Sequence, residues 1–311
     1  MEIKDAHIEL FQEVYDKYPR PRVSQIYKVD EIAKAYLGFP TWFPMAYVTL
    51  LEHGVALQHD IFRGKLLSSK DEIILVDTQS RKALLEAQGK EAYVLGPLFV
   101  HARKLYNIEA QPDRKGTLVF PIHASHTNTV HFDWEKYAQS LLTLPKEYHP
   151  FTACIYWMDV MKGRHRAFEK YGIKVITNGH IHDPKFVYNC LHSISQHRYC
   201  TGNELVSSMF YSIEMGIPFF LFGNDQGLVS ELEDYRAVVD RHPKVKELKQ
   251  IFTKTKTDLE IPLTISPAAQ EIVDFYLDKP SWMAPEALRR MIWRRSPELL
   301  FKKALSSLKL R

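Results

Sequence analysis

Four short stretches of the sequence concentrate side chains that bind anions or move protons. The first is Pro121-Ile-His123-Ala-Ser125-His126-Thr127-Asn128-Thr129, which follows the apolar run Leu118-Val-Phe120. Hydroxyls and backbone N–H groups hold an anion, and a protonated histidine adds charge to the site. Ser125, Thr127 or Asp133 could equally cap the helix that follows. The second, Thr201-Gly202-Asn203-Glu204-Leu-Val-Ser207-Ser208, is a turn from a strand into a helix, whose first amides and dipole favour negative charge. There Asn203 or Glu204 could simply be a cap, and Ser207 and Ser208 small residues that allow close packing. The third is Thr177-Asn178-Gly179-His180-Ile-His182-Asp183-Pro184, which reads either as a binding loop or as a turn capped by Asn178 and Asp183. In the fourth, Glu52-His53-Gly54-Val55, His53 has a side chain that titrates near neutral pH and so suits a general base acting on a hydroxyl. A lone histidine of this kind is otherwise a structural polar group.

These loops need a frame, and the apolar pattern predicts one. Apolar runs at 118–120, 151–157, 173–176, 198–200 and 217–222 read as five strands. Helical patterns over 134–144, 163–171, 183–196 and 204–215 separate them, the second and fourth stopped by Gly172 and Gly216. Five strands with four crossover helices make a doubly wound sheet, with ligands beyond the carboxyl ends of its strands. A shorter unit precedes it, with strands at 47–51, 73–76 and 92–95 and a helix over 79–88. The polar stretch Gln111-Pro-Asp-Arg-Lys-Gly116 has linker composition, so the expected domains are 1–112 and 113–311. Past Gly227 the pattern becomes charged helices, and the chain shows no internal repeat.

Composition agrees with a folded α/β protein: 311 residues, 45% hydrophobic and 25% charged. The three cysteines, Cys154, Cys190 and Cys200, lack a C-x-x-C spacing and read as reduced packing residues. There is no signal-like amino terminus and no long apolar span, so the expected location is the cytoplasm. A net charge of +4 is too small to indicate nucleic-acid binding. Basic residues nevertheless crowd 289–311, where Leu300, Phe301, Ala304, Leu305 and Leu308 share one helical face and Lys302, Lys303 and Lys309 lie toward another. That face could pack back on the body or touch an anionic membrane peripherally.

Two family resemblances follow from these residues. Gly179-His180-Ile-His182 resembles the late metal-ligand motif of calcineurin-like metallophosphoesterases, and His123, His126 and His131 lie in another histidine-rich stretch. The early Asp-x-His, Gly-Asp-x-x-Asp and Gly-Asn-His-Glu motifs of that family are absent, however, and with them half of its ligands. The second resemblance covers about 47–223. It rests on a His-Gly after an early strand, on Ile73-Ile-Leu-Val-Asp-Thr-Gln-Ser80 with Gly96-Pro97, and on Thr201-Gly-Asn, Ser207-Ser208 and Gly216-Ile-Pro218. In these the chain resembles GT-B glycosyltransferases of bacterial surface-polysaccharide biosynthesis.

The resemblance implies two Rossmann-like units facing a cleft, with a small first domain on the acceptor side and a helical C-terminal extension after the second. It implies metal-independent transfer of a sugar from a nucleotide-sugar donor to a hydroxyl of a glycan or lipid-linked acceptor, with no cofactor. His53 would be catalytic. His123, Ser125, His126, Thr127, Asn178, Gly179, His180, Thr201, Gly202, Asn203, Glu204, Ser207 and Ser208 would hold the donor and its phosphates. Ser207-Ser208 also resembles the serine pair of CMP-sugar transferases, whereas His182-Asp183-Pro184 carries one residue more than their His-Pro. A non-catalytic binding relative is the remaining alternative, since the first domain is short for the fold.

Overall fold

A computed structural model describes residues 1–52, 54–57, 72–123, 130–223, 229–230 and 243–308. The chain divides into two compact units, one of Met1–Arg20 with Ile108–Val273 and a smaller one of Pro21–Asn107 with Asp274–Arg311. Helix α1 (Asp5–Lys17) opens the chain and buries Phe11 and Val14 in the larger unit, where the Phe11 ring meets Trp157 edge-on at 6.1 Å.

In the smaller unit α2 (Val29–Tyr36) and the short α3 (Met45–Val48) lead into β1 (Thr49–Leu51). Strand β2 (Ile73–Val76), α4 (Gln79–Ala87), β3 (Ala92–Val94) and α5 (Leu98–Leu105) follow. The three strands pair in chain order and in parallel, with Leu51 opposite Leu75 and Leu75 opposite Tyr93. All four residues of β2 are buried, as an unbroken apolar run between two neighbouring strands requires.

The larger unit carries a five-stranded sheet. Its elements are β4 (Thr117–Phe120), the two-residue β5 (Val130–His131), α6 (Trp134–Leu142), β6 (Phe151–Cys154), α7 (Trp157–Met161) and α8 (Arg166–Glu169). Then come β7 (Lys174–Ile176), α9 (Phe186–Ser195), β8 (Tyr199–Gly202), α10 (Ser207–Glu214) and β9 (Phe219–Leu221). The strand order is β7-β6-β4-β8-β9, every pairing is parallel, and β5 pairs separately with β10 (Val229–Ser230) in an antiparallel ladder. This is a doubly wound sheet, as the sequence predicts, and the structure adds the order, in which the chain reverses its direction of travel between β4 and β8. Helix α11 (Pro243–Phe252) buries Val245, Leu248 and Phe252, and α12 (Pro267–Leu277) follows it.

The last helix, α13 (Pro285–Leu308), belongs to the smaller unit. Its buried residues are Leu288, Ile292, Ser296 and Leu299, and Trp293 stacks beside Phe39 and Phe43 at 5.8 and 5.6 Å. The two units therefore do not follow the expected cut between residues 112 and 113. Gln111 donates its N–H to Ser195 O at 2.9 Å, so the polar stretch is tied to the end of α9 rather than free as a linker. Sequence order cannot reveal that the first and last helices each bury their apolar face in the unit more distant along the chain. Of the apolar face read over 300–308, Leu300, Phe301, Ala304 and Leu305 point to solvent, because α13 packs through the opposite side.

Local boundaries also shift for identifiable reasons. The strand read over 151–157 stops at Cys154, since Trp157 opens α7 and is fully buried. Helix α9 starts at Phe186 rather than 183 because Asp183 Oδ1 accepts the N–H of Lys185 at 2.8 Å and holds a turn there. Cys154, Cys190 and Cys200 are free and buried, as expected, and burial pushes the thiols of Cys154 and Cys200 up to about 12. No helix among the described residues is long and apolar enough to cross a membrane.

His101 on α5 is fully buried, stacked on Tyr36 at 3.8 Å and met edge-on by Trp282 at 4.8 Å, with Nε2 2.7 Å from Leu95 O. Burial lowers its pKa from 6.5 to about 4. The folded state therefore keeps His101 neutral where the unfolded chain protonates it. Its contribution is complete above pH 6.5 and is lost as the pH falls toward about 4, by about 3 kcal/mol at most. His101→Gln, which keeps an N–H donor and removes the titration, is predicted to flatten that acid limb in urea unfolding midpoints measured against pH. An unchanged pH profile would contradict the buried neutral state.

Candidate functional site

The carboxyl ends of β4 and β8 lie side by side, with Phe120 paired to Gly202. Ile122, two residues past β4, donates its N–H to Asn203 Oδ1 at 2.8 Å, stitching the two following loops together. Gly202 permits this approach, since a Cβ there would stand 2.8 Å from the carbonyl oxygen of Phe120. Helix α10 begins four residues beyond Asn203, and Val206 at its N-cap supplies no side-chain cap. The first amides of such a helix, with the positive end of its dipole, favour an anion. The ends of β4 and β8 thus form the switch point of the sheet, where open α/β sheets carry the crevice that takes their ligands.

The predicted residues divide once they are placed here. Thr201 is fully buried and donates Oγ1–H to Phe220 O at 2.8 Å, so its hydroxyl is committed to β9. The Asn203 side chain, 3% exposed, is turned inward to the Ile122 stitch. Glu204 accepts the N–H of Leu205 at 2.9 Å and pairs with Lys249 of α11 at 3.3 Å. A carboxylate repels phosphate, so Glu204 suits a ligand hydroxyl and not the phosphate role expected for it. Ser207 is half-buried in the first turn of α10, whereas Ser208 is buried and its carbonyl accepts from Ser212 Oγ at 2.7 Å. His123 is exposed, and its ring lies 4.3 Å from that of Tyr156, which follows β6. Tyr156 was not picked out from the sequence; its signal was an aromatic pair, Tyr156-Trp157, directly after a strand. Ser125, His126 and Thr127 lie outside the described residues.

The turn of Asn178, Gly179 and His180 follows β7 at the sheet edge. At roughly 4.8 Å per strand it stands about 10 Å from β4, and farther from β8. Its polar groups are engaged locally. Asn178 Oδ1 accepts the Cys154 thiol at 3.3 Å, and its carbonyl accepts from Asn189 Nδ2 at 3.1 Å. Gly179 has φ +104°, and a Cβ there would collide with the Asp183 carboxylate at 2.1 Å. His180 Nδ1 accepts the N–H of His182 at 3.1 Å, and its ring packs edge-on to Phe11 of α1 at 6.2 Å. Burial lowers the His180 pKa, which favours the neutral ring. The turn therefore stands two strands away from the switch point. Among the described residues no group of three or more His, Cys, Asp or Glu is arranged to hold a metal.

In the smaller unit the carboxyl ends of β1 and β2 carry a buried charged cluster that sequence reading missed. Arg81 of α4, 4% exposed, donates Nε to Glu52 Oε2 at 2.7 Å and Nη2 to Glu52 Oε1. Asp77, the residue after β2, is 4% exposed beside this pair. Burial, and then the neighbouring Glu52, raise its pKa well above the usual carboxylate range. The sequence signal was an acidic residue on each of two adjacent strand ends, with an arginine one helical turn later. His53, immediately after Glu52, lies outside the described residues.

The fold and its crevice define an α/β protein of two Rossmann-like units, each with its own parallel sheet. No family model matches the chain, and no curated protein matches it. Among solved structures, it is similar to UDP-GlcNAc 2-epimerase from Neisseria meningitidis, crystallised with UDP-GlcNAc, at 12% identity and a TM-score of 0.33. The likeness covers 73% of this chain and spans 61% of the epimerase, and it is too slight to carry an argument about activity.

Asn203→Ala removes the acceptor for the Ile122 N–H. This substitution is predicted to destabilise the larger unit by about 1–3 kcal/mol. It should also speed amide exchange at Ile122 and the adjoining β4 end, measured by hydrogen–deuterium exchange. Unchanged protection at Ile122 would show that the stitch does not hold the loops.

Proposed function

We propose that the crevice at the ends of β4 and β8 binds the phosphate of a nucleotide-sugar, and that the protein is a GT-B-type glycosyltransferase of polysaccharide biosynthesis. The observation that carries this reading is the Ile122 to Asn203 stitch at the switch point, which brings the His123 loop up to the turn that opens α10. An anion lodged there would meet the first turn of α10 with Ser207, and the imidazole of His123 from the other loop, whose sequence also carries His126. The tilted pair of His123 and Tyr156 rings beside it would offer an outer ring face that suits a nucleobase. Glu204, offset by Lys249, would accept a donor hydroxyl.

In the transfer, the hydroxyl oxygen of a glycan or lipid-linked acceptor attacks the anomeric carbon. The bond from that carbon to the nucleotide's phosphate oxygen breaks, and the hydroxyl proton passes to His53. The negative charge that builds on the departing phosphate is what the α10 terminus and the histidines would stabilise. The residues assigned to the phosphate need no metal for this step. A lipid-linked acceptor would add a peripheral contact with an anionic membrane through 289–311.

The test is thermal stabilisation by CMP, CDP, UDP and GDP, each with and without EDTA. A native-state ligand raises the melting temperature. A selective rise that survives EDTA is expected and would name the donor class, whereas no rise with any nucleotide overturns the reading. With the donor known, His53→Ala is predicted to lower kcat/KM by about 10²–10⁴ while leaving nucleotide stabilisation intact. Ser207→Ala should instead weaken the stabilisation.

A further inference from the structure

The smaller unit exposes an apolar surface that its own helices leave uncovered. On α13 the packed side is Leu288, Ile292, Ser296 and Leu299. At about 100° per residue, Trp293, Leu300, Phe301 and Ala304 fall within a single arc of about 100° on the other side. The structure leaves Trp293 47%, Phe301 65% and Leu305 43% exposed. Trp42, from the loop before α3, joins the stripe: it is 72% exposed, and its ring lies 6.0 Å from that of Trp293. Two segments far apart in sequence thus present tryptophan on one surface.

The charges around the stripe are of one sign. Arg289, Arg290 and Arg294 are exposed on the same helix, and Arg290 and Arg294 have no acidic partner among the described residues. Residues 285–311 hold eight of the chain's 41 basic residues and two of its 37 acidic ones, which leaves the remainder at 33 against 35. The excess positive charge of the protein is therefore carried by the segment that also exposes Trp293 and Phe301. Tryptophan side chains settle at the boundary between lipid headgroups and acyl chains, and arginines beside them pair with anionic headgroups.

We infer that Trp42 and the outer face of α13 form a composite membrane-docking surface that seats the smaller unit on an anionic bilayer. The proposed function supplies the reason for it, a lipid-linked acceptor, and the inference rests on that reading for its use but not for the binding itself. The sequence assigned such a contact to residues 289–311 alone. Trp42 is the half that only the fold brings to it.

The experiment is co-sedimentation of the full chain, without nucleotide, with vesicles of equal parts phosphatidylcholine and phosphatidylglycerol and with vesicles of phosphatidylcholine alone. Binding to the anionic vesicles is expected, with a blue shift of tryptophan emission and loss of binding on raising the salt. Trp42→Ala with Phe301→Ala should weaken partitioning about tenfold or more, and Arg290→Glu with Arg294→Glu should abolish the preference for anionic lipid. These side chains are exposed, and circular dichroism and the melting temperature verify that each variant is folded. No binding, equal binding to both vesicles, or a dimer in sedimentation velocity that the Trp42 and Phe301 variant disrupts would overturn the inference. Vesicle binding together with no nucleotide stabilisation would uphold the docking surface and remove the transferase reading.

Discussion

A parallel ladder cannot be closed by a hairpin, and every pairing in the three-stranded and five-stranded sheets is parallel. Each strand must therefore be followed by a crossover that returns the chain to the same end, and these crossovers keep one hand. In the larger unit the chain moves from β4 outward to β7 and then comes back to begin again at β8. The loops leaving β4 and β8 consequently run in opposite directions, and a crevice opens between them. Gly202, the Asn203 stitch and the uncapped start of α10 all serve this one geometric consequence.

The same sheet decides which polar groups remain for a ligand. Buried donors and acceptors must be satisfied inside the protein. Thr201 and Asn203 meet that demand, one across to β9 and one across to the β4 loop, so neither side chain faces the crevice. At the crevice stand the backbone at the start of α10, the half-buried Ser207 and the exposed His123, each side chain with a contact of its own. The smaller unit handles the same demand differently. Arg81 clamps Glu52 at the end of β1, and Asp77 is left in surroundings that favour its neutral acid. Breaking such a buried pair by removing one partner leaves an uncompensated charge.

Much of this was legible in the sequence, and the reasons differ from element to element. Strands such as β2 and β4 are covered on both faces, so they appear as short, unbroken apolar runs. Helix starts were less legible. Asp183 and Glu204 resemble first-turn helical residues, yet each spends its carboxylate on a nearby backbone N–H and delays the helix by three residues. The apolar face of residues 300–308 was recognised, but α13 packs with its other side, so an apparent core stripe lies in solvent. Trp42 could not be joined to that stripe by any local pattern, being some 250 positions away from Trp293 in sequence.

By itself the sequence determined the α/β class, the number of strands in the larger sheet and their doubly wound arrangement, and the loops at their carboxyl ends that hold polar side chains. These are local matters, set by the period of apolar residues and by the glycines that end helices. The tertiary structure alone decided which of those polar side chains turn inward, that the turn at 178–180 stands apart from the switch point, and that the first and last helices belong to the units they do. Each of those outcomes depends on burial against residues distant in the chain, and burial is a property of the assembled fold that no window of sequence contains.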